Sequence, residues 1–185
     1  MVATETPKIE FGATAPPFAL PGTDGRSWDL GDIRGVRGTL VMFICNHCPY
    51  VKTAIDRIVS DGKSLLDEGV GVVAICSNDA VHYPDDSFPN MVRFAEAHGF
   101  PFPYLHDEDQ SVAQSYGAVC TPDFFGFNAK LELQYRGRLD AARMGAPPPD
   151  LRRDLLEAMR QIARSGQGPA DQIPSIGCSI KWKAA

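Results

Sequence analysis

The sequence has no long apolar run. The longest, LVMFIC from Leu40 to Cys45 and VVAIC from Val72 to Cys76, fall far short of a bilayer span. The N-terminus, MVATETPKIEF, has neither a cationic start nor an apolar stretch, so a secretory leader is not expected. Basic charge is in deficit: 18 Lys and Arg against 23 Asp and Glu give a net charge of −5. That balance leaves no footprint for a phosphate backbone and argues against nucleic acid and anionic membrane surfaces as partners. Cysteine is sparse and odd in number. Of five, only Cys45 and Cys48 lie close together, while Cys76, Cys120 and Cys178 are singletons. A secreted disulfide framework would be even and denser, so a soluble, cytoplasmic protein with reduced thiols is expected. No internal repeat and no low-complexity segment occurs.

What is present fits one domain over residues 1–185, with a core of about 13–165 and a C-terminal extension over 166–185. The opening segment is rich in Gly, Pro and Asp, and short pieces at Phe18–Leu20 and Ser27–Leu30 flank the turn GTDGR, which predicts a hairpin. TLVMFIC and VGVVAIC read as strands buried on both faces. Between them Val51, Ile55, Ile58, Val59, Leu65 and Leu66 recur at helical spacing up to Gly69, interrupted by Gly62. Ser87 is placed to cap a helix carrying Met91 and Phe94 to Gly99, and Val112 with Tyr116 marks another ending at Gly117. FFGFN and LELQYRGR form a hairpin pattern. A last helix, capped by Asp150, shows Leu151, Leu155, Met159 and Ile162 on one face before Gly166. Two strands bridged by a helix require a parallel crossover, and the later hairpin adds antiparallel strands. The expected class is α/β, with layers of helix around a central mixed sheet.

The chemistry concentrates in FICNHCPYVK, Phe43 to Lys52. A C-x-x-C pair where a buried strand meets a helix places its thiols against unpaired amides and the positive end of the helix dipole, where thiol pKa values fall to roughly 3.5–7.5. His47, between the sulfurs, would favour a thiolate further as imidazolium, or relay a proton when neutral.

The order of elements, with FICNHCPYVK after the first core strand and CTPDFF before the late hairpin, resembles the thioredoxin-like superfamily in its redoxin, AhpC/TSA-type branch, over roughly residues 13–165. The resemblance implies a three-layer α/β/α sandwich with an N-terminal hairpin and a C-terminal tail. It implies a cis bond between Thr121 and Pro122, facing the dithiol and positioning substrate. It also implies a thiol-disulfide oxidoreductase in which Cys45 attacks and Cys48 resolves, needing no organic cofactor, with a disulfide-bearing protein or small molecule as substrate and an external thiol reductant. The residues themselves leave the order open, because Pro49 suits the first helical position and would make Cys48 the cap.

Two other functions compete. A thiol peroxidase would use Cys48 against peroxide with Cys45 or Cys178 resolving, but Val41 and Cys45 stand where peroxiredoxins carry a proline and a threonine, and Pro122 stands where their later-strand arginine aligns. A metal-binding module would join the cysteine pair to His47 or Cys120 around copper or zinc, yet zinc usually takes four ligands and only one pair exists, so no metal is assigned. Cys120 and Cys178 are possible auxiliary thiols. A packing role is the simpler reading for Cys120 and Cys76, and for Cys178 the alternative is a thiol tucked under Trp182. Arg136 and Arg138 beside Asp140 read most simply as a solvated strand end, and His82, His98 and His106 show no ligand spacing.

Overall fold

The computed structural model describes residues 3–142 and 144–184. In chain order the elements are β1 (Ala3–Glu5), β2 (Ala19–Pro21), β3 (Ser27–Asp29), α1 (Leu30–Ile33), β4 (Thr39–Phe43), α2 (Pro49–Asp67), β5 (Gly71–Cys76), α3 (Phe88–His98), β6 (Tyr104–His106), α4 (Ser111–Tyr116), β7 (Cys120–Thr121), β8 (Asp123–Phe127), β9 (Leu133–Tyr135), α5 (Asp154–Ser165) and β10 (Ile176–Ser179). A 3₁₀ turn, Pro84–Asp86, precedes α3.

The central sheet has the order β6-β5-β4-β8-β9. β5 and β6 run parallel to the central strand β4, β8 runs antiparallel to β4, and β9 runs antiparallel to β8. Alternation along β4 divides the core. Leu40 and Met42 face a layer containing Ile55 and Ile58 of α2, Met91 of α3 and Met159 of α5, whereas Val41 and Phe43 face Leu30, Val112, Tyr116 and Phe125. Helices therefore cover both sheet faces, and the arrangement is the thioredoxin-like three-layer sandwich. The hairpin of β2 and β3 forms in the expected place. α2 continues through Gly62, whose bare Cα admits the Phe102 ring: a Cβ there would lie 2.5 Å from it.

Three features depart from the sequence reading. α5 begins at Asp154 with Arg153 as its flanking residue, so neither Asp150 nor Leu151 belongs to it. The Leu151 N–H instead closes a turn on the Pro148 carbonyl, and Leu155 enters the helix bonded to Leu139. β6 was not expected: at three residues it is too short to show a period. The last segment is part of a second sheet, in which β10 lies antiparallel between β1 and β7. Among the described residues, no helix is long and apolar enough to cross a membrane.

Candidate active site

β4 ends at Phe43 and α2 starts at Pro49, so the C-x-x-C loop connects the central strand to the N-terminus of a 19-residue helix. Pro49 occupies the first helical position, where its missing N–H costs nothing, and Cys48 is the N-cap residue with extended backbone (φ −66°, ψ 123°). The Cys48 side chain makes no capping hydrogen bond, but Val51 N–H, one of the free amides of the first turn, favours negative charge on its sulfur.

The two sulfurs stand in different fields. The Cys45 thiol is the largest influence on Cys48; burial opposes it, and the Cys178 thiol and the nearby Val51 N–H add to it, which together lower the Cys48 thiol to about 4. Cys45, as donor in that bond and buried, is pushed up, with the negative charge of Asp86 adding to the effect. Against Cys48 stands one acceptor, the Thr121 carbonyl at 3.2 Å, to which its S–H donates when protonated. That contact favours the thiol, but several donors outweigh one acceptor, so Cys48 loses its proton more readily than Cys45. The resemblance makes Cys45 the attacking sulfur, and the lowered pKa makes Cys48 a second candidate.

His47 is held from behind. Its Nδ1 donates to Asp86 Oδ2 at 2.6 Å, and its ring stacks on Tyr83. Asp86 Oδ1 also accepts from the backbone amides of Asn46 (2.7 Å) and His47 (3.3 Å), and Asn78 Nδ2 donates to Oδ2 at 2.8 Å. The hydrogen bond to Asp86 raises the His47 pKa, so the imidazolium is favoured next to Cys48. Asn46 is fixed in turn by Tyr104 Oη, which donates to its side-chain oxygen at 3.0 Å. Sequence reasoning missed Asp86, Asn78 and Tyr104. Asp86 follows another aspartate in a PDD turn with no motif, and only its distance in space to the dithiol gives it meaning.

The Thr121–Pro122 bond is cis, as the resemblance implied. Thr121 meets both cysteines: its hydroxyl lies 3.3 Å from the Cys45 sulfur and its carbonyl faces Cys48. Beside Pro122 a pocket of about 100 Å³ opens between Tyr50, Ala54 and Arg57 of α2, Arg138 and Asp140, and the segment Pro174–Ile176. Cys178 joins the pair, hydrogen-bonded to Cys48, while Trp182 stays 43% exposed. Cys120 is buried, its thiol 3.6 Å from the Pro122 carbonyl, and burial pushes it up. Cys76, raised to about 12 by burial, is likewise a packing residue. Arg136 and Arg138 are not a solvated strand end. Arg136 is buried in an ion pair with Asp123 (3.0 Å), Arg138 pairs with Asp154 (2.7 Å), and Asp140 holds Arg57 (2.6 Å).

For a metal, the Cys45 sulfur, His47 and Asp86 offer ligand atoms within 4.8 Å of one another. Asp86 is already the acceptor of four hydrogen bonds and Cys45 favours its proton, so this trio fits an ion poorly.

A dithiol between central strand and helix, facing a cis proline at the start of β8, is the thioredoxin-like constellation. The profile of the AhpC/TSA family matches residues 11–137, more than half of the chain. The chain belongs to the AhpC/TSA family. An uncharacterized conserved protein from Geobacillus kaustophilus is 45% identical to this AhpC/TSA chain, with a TM-score of 0.94 covering 100% of this chain and 98% of that one. Thiol-disulfide oxidoreductase ResA of Bacillus subtilis is 28% identical over 123 residues, covering 65% of this chain and 63% of that protein. Peroxiredoxin Bcp of Escherichia coli is 27% identical over 118 residues, covering 64% of this chain and 70% of that protein. The thioredoxin domain of a thiol-disulfide oxidoreductase from Bacteroides vulgatus, 17% identical, shares the fold with a TM-score of 0.58 over 70% of this chain and 89% of that one. Both curated relatives are redox proteins by name, and they divide between the two thiol chemistries open to this AhpC/TSA family member.

Proposed function

We propose that the chain is a thiol-disulfide oxidoreductase whose redox pair is Cys48 and Cys45, with Cys48 as the attacking thiolate. The observation that carries this reading is the position of the Cys48 sulfur as the N-cap at the mouth of α2, where the Cys45 and Cys178 thiols and the Val51 amide favour its charge. The Cys48 thiolate attacks one sulfur of a disulfide, a Cys48–substrate disulfide forms, and the other substrate sulfur leaves as a thiolate that takes a proton from solvent. Cys45 then attacks the Cys48 sulfur, its own proton passing to the departing substrate thiol, and the Cys45–Cys48 disulfide is left. An external dithiol returns two electrons and two protons. The cysteines carry the electrons, so the reaction needs no organic cofactor.

Thr121 and Pro122 position the substrate, which is a disulfide-bearing protein segment or small molecule entering beside Tyr50 and Pro122. Both sulfurs are 0% exposed, so this wall moves aside before attack. His47 serves as the cation that steadies the thiolate. Five free thiols suit a reducing, cytoplasmic setting. Peroxide is the weaker substrate, because the groups described around Cys48 are thiols, an amide, a carbonyl and a His47 ring bound to Asp86, while Arg136 is committed to Asp123.

The reading is tested by trapping. Reduced Cys45→Ser and Cys48→Ser variants are exposed to bis(2-hydroxyethyl) disulfide and their intact masses followed. Cys45→Ser forms the mixed disulfide and Cys48→Ser does not; an adduct confined to Cys45 would reverse the order.

A further inference from the structure

The C-terminal strand carries a sulfur into the site, and several independent contacts put it there. Cys178 stands in register with Ala3 on one side and Thr121 on the other, so β10 is fixed along its length between β1 and β7. Its approach to the cis-proline turn is close enough to require glycine at 177: a Cβ there would lie 2.1 Å from the Thr121 carbonyl oxygen and 3.0 Å from Pro122 N. Ser175 Oγ donates to the Pro122 carbonyl at 2.8 Å, and Ser175 and Thr6 exchange hydrogen bonds at 3.0 Å. Beyond the strand, Lys181 N–H donates to Asn78 Oδ1 at 2.8 Å, and Asn78 binds Asp86, so the tail and the His47 network are one structure. The result is a Cys178 side chain, 4% exposed, hydrogen-bonded to the Cys48 sulfur in the same apolar cluster as Cys45.

We propose that Cys178 is a third redox sulfur of this site, able to resolve the Cys48 mixed disulfide in place of Cys45 and so to tie β10 covalently to the mouth of α2. The inference rests on Cys48 being the attacking sulfur. In the step, the Cys178 sulfur attacks the Cys48 sulfur of the Cys48–substrate disulfide. A Cys48–Cys178 bond forms, the Cys48–substrate bond breaks, and the substrate leaves as a thiol carrying the Cys178 proton. Cys48 and Cys178 together lose two electrons and the substrate disulfide gains them. Cys45 can then attack Cys48, forming the Cys45–Cys48 disulfide and returning Cys178 to a thiol, so that Cys48 is a hub served by two partners. Burial and the bond to Cys48 hold Cys178 up at about 12, which keeps it protonated as a donor until Cys48 has been converted to a disulfide and its negative charge no longer opposes a Cys178 thiolate.

The test uses the full chain and bis(2-hydroxyethyl) disulfide. Reduced Cys45→Ser and Cys45→Ser/Cys178→Ser are each given a stoichiometric pulse, and intact mass is followed with time. Cys45→Ser is expected to gain the adduct and then lose it, ending two hydrogens lighter than the reduced protein, with peptide mapping locating a Cys48–Cys178 disulfide. The double variant is expected to keep its adduct. Equal persistence in both variants, or a disulfide mapped elsewhere, overturns the role of Cys178. Failure of the double variant to form any adduct on Cys48 defeats the Cys48-first reading and this inference with it, so the two failures are told apart. Mapping the wild-type chain after the same pulse reads the pairing without a substitution, and there both Cys45–Cys48 and Cys48–Cys178 peptides are expected.

Discussion

Two aspartates pin α2, and they behave in opposite ways. Asp86, from the turn before α3, grips the dithiol loop at the head of the helix; Asp61, within α2, faces α5 through Arg153. Both are buried, at 0% and 1% exposure. Burial works to raise each of them, but Asp86 accepts hydrogen bonds from two backbone amides, His47 and Asn78, and its carboxyl falls below the ordinary range. Asp61 binds the Arg153 guanidinium with one oxygen while the other is buried without a partner among the described residues, and burial lifts it to about 6. The number of donors that reach a buried carboxylate, more than its depth, decides whether it holds its charge. At the head of α2 that charge is used to organise a reactive loop. In the middle it is a fastening between helices.

The strongest way to break the comparison is Asp86→Ala. The substitution strands four donors in the interior, two of them backbone amides of the C-x-x-C loop, and a buried ionic partner removed from such a network costs about 3 kcal/mol. Urea denaturation at neutral pH should show that loss, and the variant should also react more slowly at Cys48 because the loop no longer presents the sulfur to the helix mouth. A change under about 1 kcal/mol would mean that the four hydrogen bonds contribute little. In the parent, the Asp86 contribution is present above the ordinary carboxylate range and is lost as pH falls through its depressed folded value.

The gap between what could be read and what could not follows the same division. The buried strands, α2 and the dithiol at its head were legible because apolar runs, helical spacing and C-x-x-C are local patterns. Thr121 and Pro122 came through the resemblance, since nothing local marks a cis bond. Asp86, Asn78 and Tyr104 were invisible, being polar residues tens of positions away whose meaning comes from folding. The role of β10 was hidden for another reason: IGCS is a four-residue strand, and pairing with β1 and β7 across the length of the chain leaves no periodic trace. The order of attack is where two readings part: the resemblance nominates the first cysteine, whereas Pro49, read physically, points to Cys48 as the cap.

A smaller effect sharpens the Asp86 side. In His47→Asn, the amide nitrogen can take over the Nδ1 hydrogen bond to Asp86, so the loop stays in place while the cation is removed. Cys48 should then titrate higher by about half a unit to one unit, a modest change because His47 is partly open to solvent. Ultraviolet absorbance of the thiolate followed against pH measures it. An unchanged midpoint would assign the low pKa to the thiol and amide donors alone. Because the folded-state pKa of His47 is raised, its contribution to stability is complete below about 6.5 and fades as pH rises through the folded value, a dependence the Asn variant lacks.

The smallest effect is expected on the Asp61 side, and its sign is the sharper test. With a folded pKa of about 6 against an ordinary 3.8, Asp61 favours the folded state most when both states are protonated at low pH, and that contribution is lost as pH rises from about 4 through 6. A shift of that size has a ceiling of roughly 2–3 kcal/mol, but Arg153 is 31% exposed and solvent shares in its charge, so about 1 kcal/mol is the expected outcome. Asp61→Asn keeps the shape and removes the titration. The difference in unfolding free energy between variant and parent should therefore move in favour of the variant between pH 4 and pH 6, ending within about 1 kcal/mol of neutral stability change. A difference that moves the other way would show that Arg153 holds Asp61 ionised as firmly as four hydrogen bonds hold Asp86, and the contrast between the two aspartates would collapse.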